Sequence, residues 1–183
     1  MSKPFSYWKR LPPKYNGSYL SVIEIPSGEK VKYEYSKDLD VLILDRILYS
    51  SVHYPENYGF VPSTLADDGD PLDVLVFCQE SIEPMTAVGF TPVGGLEMID
   101  EKGLDHKIFA VASQDPQYKD YNDIDDLPNH KTEEIRQFFE DYKQLEDKKV
   151  ELDEFYGPDR AERIVDESIS NFRESFPEET DHW

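Results

Sequence analysis

Asp67, Asp68, Asp70 and Asp73 place four carboxylates within seven residues, interrupted by Gly69 and Pro71 and followed at once by the apolar run Val74-Leu75-Val76-Phe77. Two unit charges about 4 Å apart repel by roughly 4 kcal/mol at an effective dielectric near 20. These side chains therefore either splay into water or converge on cations. Alternation along an extended chain puts Asp68 and Asp70 on one face. Pro71 lacks an amide donor and bends the chain, so Asp73 can turn toward the same point. Three carboxylates meeting in space form an oxygen-donor site for a hard cation such as Mg2+. A Ca2+-binding EF-hand loop is a poor match, because it needs Gly at its sixth position and Glu at its twelfth, and Pro71 falls inside it. The plain alternative is a solvated acidic turn.

A second cluster repeats the pattern. Asp100, Glu101 and Asp105 surround a turn at Lys102-Gly103, with Lys107 just beyond. Ordinary turn chemistry accounts for an acidic hairpin, but two such turns, each against a strand, also supply what several divalent cations need. Cations and phenols accompany them. Glu24, Lys32 and Glu34 lie in VIEIPSGEKVKYEY, where alternation aims Lys32 and Glu34 one way and Tyr33 the other. Arg46 interrupts the apolar VLILDRIL and needs a partner. Tyr54 and Tyr58 sit in HYPENYGF, and Tyr142 and Lys143 in FFEDYKQLE. Taken singly, Lys32 can be a solubilising strand residue, Arg46 a structural ion pair and Tyr142 a core aromatic. Together they describe metals facing phosphate oxygens, with Lys and Arg supplying charge and Tyr a neutral donor.

The elements that must carry these groups are mostly strands. Short runs rich in Val, Ile and Tyr, bounded by Gly, Pro or Asp, predict strands at 19–25, 31–35, 41–48, 74–77, 86–93, 96–99 and 108–112. Their spacing points to a small barrel or sandwich rather than βαβ units. The acidic, Pro-containing stretch 115–129 reads as a loop. Ile135, Phe138, Phe139, Tyr142 and Leu145 then form a helical stripe that Thr132 can cap. A second helix carries Ala161, Ile164, Val165, Ile169, Phe172 and Phe176, entered through Gly157-Pro158 and stopped by Pro177. Residues 1–17 read as an ordered arm or a loose lead-in, and 177–183 as a frayed acidic tail.

Composition sets limits on partners. The 183 residues suit one domain, and 12 Tyr, 10 Phe and 2 Trp give a chain that is only 38% hydrophobic large side chains to bury. A formal charge of −20 argues against nucleic acid or an anionic membrane as partner, while leaving room for a small anion delivered with metal ions. Cys78 is the one cysteine, so no intrachain disulfide forms and a reducing compartment fits. No secretory apolar region and no apolar run near 18 residues stands out, and the reading is a cytoplasmic protein.

In this order, the residues resemble the soluble inorganic pyrophosphatases of family I. Asp68-Gly69-Asp70-Pro71-Leu72-Asp73 matches the acidic signature of that family, and IEIP, KYE, DR, YPENYGF, GDPLDVLV, DEKGLDHK and FFEDYK extend the match over roughly residues 20–147. The resemblance implies a mainly β, α+β fold: a five-stranded barrel of the OB type with two main helices packed outside. It implies hydrolysis of pyrophosphate to two orthophosphates by a metal-activated water. Its metal ligands fall on Asp68, Asp73, Asp100 and Asp105, and its general base on Asp70. Its pyrophosphate contacts fall on Lys32, Arg46, Tyr58, Lys107, Tyr142 and Lys143, with Glu24, Glu34, Tyr54 and Glu101 in support. The implied cofactor is Mg2+, several ions per site, with Mn2+ or Zn2+ as possible substitutes. The implied partner is a second copy of the chain, a hexamer before a dimer. A non-catalytic acidic module binding Ca2+ or a basic protein, and a hydrolase of nucleotides or polyphosphate, are the competing readings.

Overall fold

The computed structural model describes residues 6–100, 103–146 and 150–180, with Asp100 described by its backbone alone. In chain order the elements are α1 (Tyr7–Arg10), β1 (Lys14–Tyr15), β2 (Ser18–Ile25), β3 (Val31–Ser36), β4 (Val41–Ile47), β5 (Asn57–Phe60), β6 (Asp73–Phe77), β7 (Ala87–Asp100), β8 (Gly103–Ala112), α2 (Asn129–Asp141), β9 (Glu151–Tyr156) and α3 (Pro158–Ser175). Strands β2, β5, β6, β8 and β7 pair in that order, and β7 pairs back onto β2, which closes a five-stranded barrel. Closure removes the free edges that an open sheet would expose. Neighbours are antiparallel except β6 and β8, which run parallel. The expected OB-type barrel with helices outside is the observed architecture.

Period-two alternation gives the barrel strands two buried faces. Leu75 and Phe77 of β6, with Phe109 and Val111 of β8, pack in one cluster with Ile135, Phe138 and Phe139 of α2. Val74 and Val76, with Ile108 and Ala110, pack in another with Ala161, Ile164, Val165 and Ile169 of α3. Gly59 allows the tight approach of β5 to β2, since a Cβ there would stand 2.0 Å from the Val22 carbonyl oxygen.

Several local expectations are corrected. The runs at 86–93 and 96–99 are one strand, β7, which absorbs Pro92 with a register shift between Pro92 and Gly94 rather than ending there. β8 begins at Gly103, five residues before the expected run, because pairing with β7 extends to the turn. Strands β5 and β9 were not foreseen. Thr132 does not cap α2: the helix starts at Asn129 after Pro128, and the Thr132 hydroxyl donates to the Asn129 carbonyl inside the first turn. Leu145 stays exposed. The second helix is as expected, with Pro158 in its first turn.

The arm is ordered from residue 6. Ser6 caps α1, and the buried Trp8 donates its indole N–H to the Thr64 carbonyl at 2.9 Å while packing edge-on against Phe172 and Phe176. The tail does not fray over 177–180, where a short 3-10 turn forms and Glu179 approaches Arg10 at 3.6 Å. Residues 181–183 lie outside the described residues.

Strands β3 and β4 form a separate two-stranded sheet beside the barrel. The apolar residues of β4 are largely exposed, Val41, Ile43, Leu44 and Ile47 among them. Among the described residues, no helix is long and apolar enough to cross a membrane.

Candidate active site

The register of the one parallel strand pair sets the centre of the site. Asp73 at the start of β6 lies opposite Lys107 of β8. Asp105 and Lys107 share a face of β8 with Phe109, and Asp73 shares one with Leu75. The polar groups thus continue the same face that packs against α2. Lys107 is buried, and its ammonium reaches the Asp73 carboxylate, Asp105 at 2.7 Å and the Tyr58 hydroxyl at 3.1 Å.

Burial alone would lower the Lys107 pKa, but the Asp105 and Asp73 charges outweigh it and hold the ammonium charged well above the usual lysine value. Burial pushes the Asp105 carboxyl up to about 6; Lys107 opposes that, while Asp73 and Asp68 reinforce it. Burial likewise raises Tyr58, with Asp73 adding to it, and Tyr54, with Tyr142 adding. Both phenols therefore stay protonated donors.

The acidic turn faces this centre. Gly69 adopts φ +83°, which lets the chain reverse there, and the Asp68 carboxylate accepts the Asp70 amide at 3.0 Å. Burial raises the Asp68 pKa, and the charges of Asp70 and Asp73 add to it.

The β3–β4 hairpin supplies the opposite wall, where Lys32 pairs in register with Arg46. A shift between Lys32 and Tyr33 leaves Asp45 bulged out of the ladder. Tyr33 consequently lines the same cavity as Lys32 and Glu34, contrary to the simple alternation expected for it. Asp45 binds Lys32 at 2.8 Å and Arg46 at 2.5 Å, and Glu146 takes the Arg46 Nε at 2.8 Å. Those two carboxylates are the partners that Arg46 required. Glu24, buried on β2, accepts the Tyr35 amide at 2.7 Å and so fastens β3 to the barrel. Burial, reinforced by Asp73, raises its pKa well above the usual value.

From the other side α2 delivers Tyr142 at its C-terminal end, stacked on Phe138 with ring centroids 5.4 Å apart. Phe138 lies 4.8 Å from Tyr54, which lies 5.2 Å from Tyr58. The Lys143 ammonium lies over the Tyr142 ring at 5.5 Å.

All these walls enclose one cavity of about 310 Å³. Of the fifteen residues singled out from the sequence, thirteen line it: Asp70; Lys32, Arg46, Tyr58, Lys107, Tyr142 and Lys143; Asp68, Asp73 and Asp105; Glu24, Glu34 and Tyr54. The Asp100 side chain and Glu101 lie outside the described residues. Asp105 sits within a strand rather than in the turn. Lys37 and Asp45 line the cavity and were not foreseen. The acidic neighbour of Arg46 in LDR was the one signal for Asp45, whereas Lys37 sits in a polar turn that gave none.

Among the described residues, seven carboxylates and five cations line the cavity. The donor set suits a hard divalent cation: oxygen ligands only, with burial and the neighbouring aspartates raising the Asp68 and Asp105 carboxyls, a strain on their charged forms that a cation would relieve. Among the described residues no three carboxylates are already gathered around one point. The Lys107 ammonium is the cation that bridges Asp73 and Asp105. A metal would thus join a site partly neutralised by lysine.

A barrel with acidic strand ends and clustered cations in one cavity can hold a divalent cation and a small anion together. The family model described as inorganic pyrophosphatase matches residues 21–173, and the chain belongs to that family. It is 51% identical over 155 residues to soluble inorganic pyrophosphatase 2 of Chlamydomonas reinhardtii, covering 85% of this chain and 81% of the relative. It is 48% identical to soluble inorganic pyrophosphatase PPA1 of Solanum tuberosum, covering 84% and 72%. The crystal structure of inorganic pyrophosphatase from Thermus thermophilus superposes with a TM-score of 0.88 at 39% identity, covering 92% of this chain and 99% of that one.

Proposed function

We propose that the chain is an enzyme that hydrolyses inorganic pyrophosphate to two orthophosphates by in-line attack of water, acting as one pyrophosphatase domain. One observation carries the reading: the acidic turn, Asp105 and the cations Lys32, Arg46, Lys107 and Lys143 line a single cavity. Mg2+ bound by Asp68, Asp73, Asp100 and Asp105 would neutralise substrate charge and acidify a water. Several ions fit so acidic a wall, and oxygen ligands also tolerate Mn2+ or Zn2+.

Asp70 accepts the proton of the attacking water. Lys32, Arg46, Lys107 and Lys143 hold phosphate oxygens as cations, and Tyr58 and Tyr142 as neutral donors, which stabilises the charge developing on the leaving phosphate. Glu24 and Tyr54 position these groups through Tyr35 and Phe138, Glu34 holds Lys32 at 3.5 Å, and Glu101 completes the supporting set. No covalent intermediate forms.

The exposed apolar residues of β4 support a homo-oligomer, read as a hexamer before a dimer, which light scattering from the purified protein would test. The acidic charge and single cysteine support a cytoplasmic location, without nucleic acid or membrane as partner. Removal of pyrophosphate would draw biosynthetic nucleotidyl transfers forward.

The decisive experiment measures phosphate release from pyrophosphate with and without Mg2+, beside ATP and tripolyphosphate. Mg2+-dependent turnover of pyrophosphate in preference to the others is expected. Metal binding without turnover would support a non-catalytic acidic module, and preference for ATP or tripolyphosphate a different hydrolase.

A further inference from the structure

Lys37 occupies the turn between β3 and β4 and lines the cavity. Its ammonium meets Asp70 Oδ1 at 2.5 Å and the Gly69 carbonyl at 3.3 Å, and lies over the Trp8 ring at 5.1 Å. Contacts on three sides fix the position of the charge, unlike that of a lysine roaming in solvent. The turn that carries it is itself braced. Asp40 donates its amide to the Ser36 carbonyl at 2.8 Å, and its carboxylate accepts the Tyr7 amide of α1 at 3.1 Å. Both members of the Lys37–Asp70 pair are about one-third exposed, at 37% and 35%, so the pair contributes little to stability. Its effect is geometric: one end is anchored through the hairpin to α1, and the other grips a single oxygen of Asp70.

We infer that Lys37 is a positioning residue for the hydrolysis: by holding Oδ1 it sets the rotation of the Asp70 carboxylate, the group that takes the proton from the attacking water. It also fixes the acidic turn against the hairpin that carries Lys32 and Arg46, so that proton acceptor and phosphate-binding cations keep their spacing. The inference rests on the reading of Asp70 as proton acceptor. A misplacement of about 1 Å at a reacting group lowers rates by about 100-fold, which sets the scale of the expected effect.

The test compares kcat and KM for magnesium pyrophosphate in the full-length wild type, Lys37→Met and Lys37→Arg. Lys37→Met should lower kcat by about 10- to 100-fold with KM changed less than about threefold, Lys37→Arg should recover most of the loss, and Lys37→Met should add nothing in an Asp70→Asn background. A raised KM at unchanged kcat would make Lys37 a steering cation and overturn the inference, as would an unchanged kcat. A readout independent of turnover is the 13C carboxyl resonance of Asp70 in the metal-free protein, which should shift in Lys37→Met and largely return in Lys37→Arg; an unmoved resonance would overturn the inference. A wild type that released no phosphate would sink the pyrophosphatase reading, while an unaffected Lys37→Met beside an active wild type sinks this inference alone.

Discussion

The buried Glu24 carboxyl accepts the backbone amide of Tyr35 at 2.7 Å, so an acid on the barrel strand β2 holds the neighbouring hairpin strand β3 by its main chain. An orphaned buried amide costs about 1–3 kcal/mol. Glu24→Ala should destabilise the protein by that amount in urea unfolding and lower turnover, because Lys32 rides on the released strand. Glu24→Gln keeps an acceptor and should fall much closer to wild type. Equal loss in both variants would mean that the charge, not the amide bond, matters.

Lys107→Met removes an ammonium set between Asp73 and Asp105. Removing one partner of a buried ion pair costs roughly 3–5 kcal/mol; the partial exposure of the two aspartates, 27% and 19%, places the expected loss at or below the lower end. Mg2+ should then raise the urea midpoint of the variant more than that of wild type, since it restores positive charge. A variant as stable as wild type without Mg2+ would show that the lysine is not needed as a counterion.

Asp70→Asn should keep the fold and lower kcat by about 10²–10⁴, the range for loss of a general base. Asp73→Ala should chiefly raise the Mg2+ concentration needed for half-maximal rate. An unchanged rate in the first, or an unchanged Mg2+ titration in the second, would remove the residue from its assigned role.

Far from the cavity, Asp115 gives a prediction about acid stability. Burial would raise its pKa, but bonds from the Gln79 amide at 2.6 Å, the Gln79 side chain at 2.7 Å and the Gln117 amide at 2.8 Å overcome this and hold it at about 2. A carboxyl lowered from its ordinary value near 4 stabilises the fold above that value, and the contribution disappears as pH falls through the folded pKa. Asp115→Asn should therefore lower the urea midpoint at pH 7, with the gap to wild type closing between about pH 4 and pH 2. A gap constant with pH would rule out a charge-based contribution.

How much of this was readable in the chain depended on range along the sequence. The carboxylates of the acidic turn, the stripe of α3 and most barrel strands announce themselves within a few residues, through charge density, helical spacing or β-branched runs. β5 did not, because Pro55 and Gly59 read as loop punctuation, and Gly59 makes sense only once β2 lies against it. β9 is acidic and becomes a strand through its pairing with β7. The partners of Arg46 divide the same way: Asp45 is adjacent, but Glu146 is a hundred residues distant. Motif resemblance gathered the remote cavity residues where local patterning could not. It left Lys37 unmarked, since a lysine in a polar turn looks like any other until the fold brings it to Asp70.

The parallel alignment of Asp73 with Lys107 has a consequence for biogenesis. Parallel neighbours cannot be joined by a tight turn, so the chain must emerge through β8 and wrap back before the two meet. If the proposed roles of Asp73 and Lys107 hold, turnover cannot begin before β8 has docked on β6, and the onset of turnover during refolding would time that pairing.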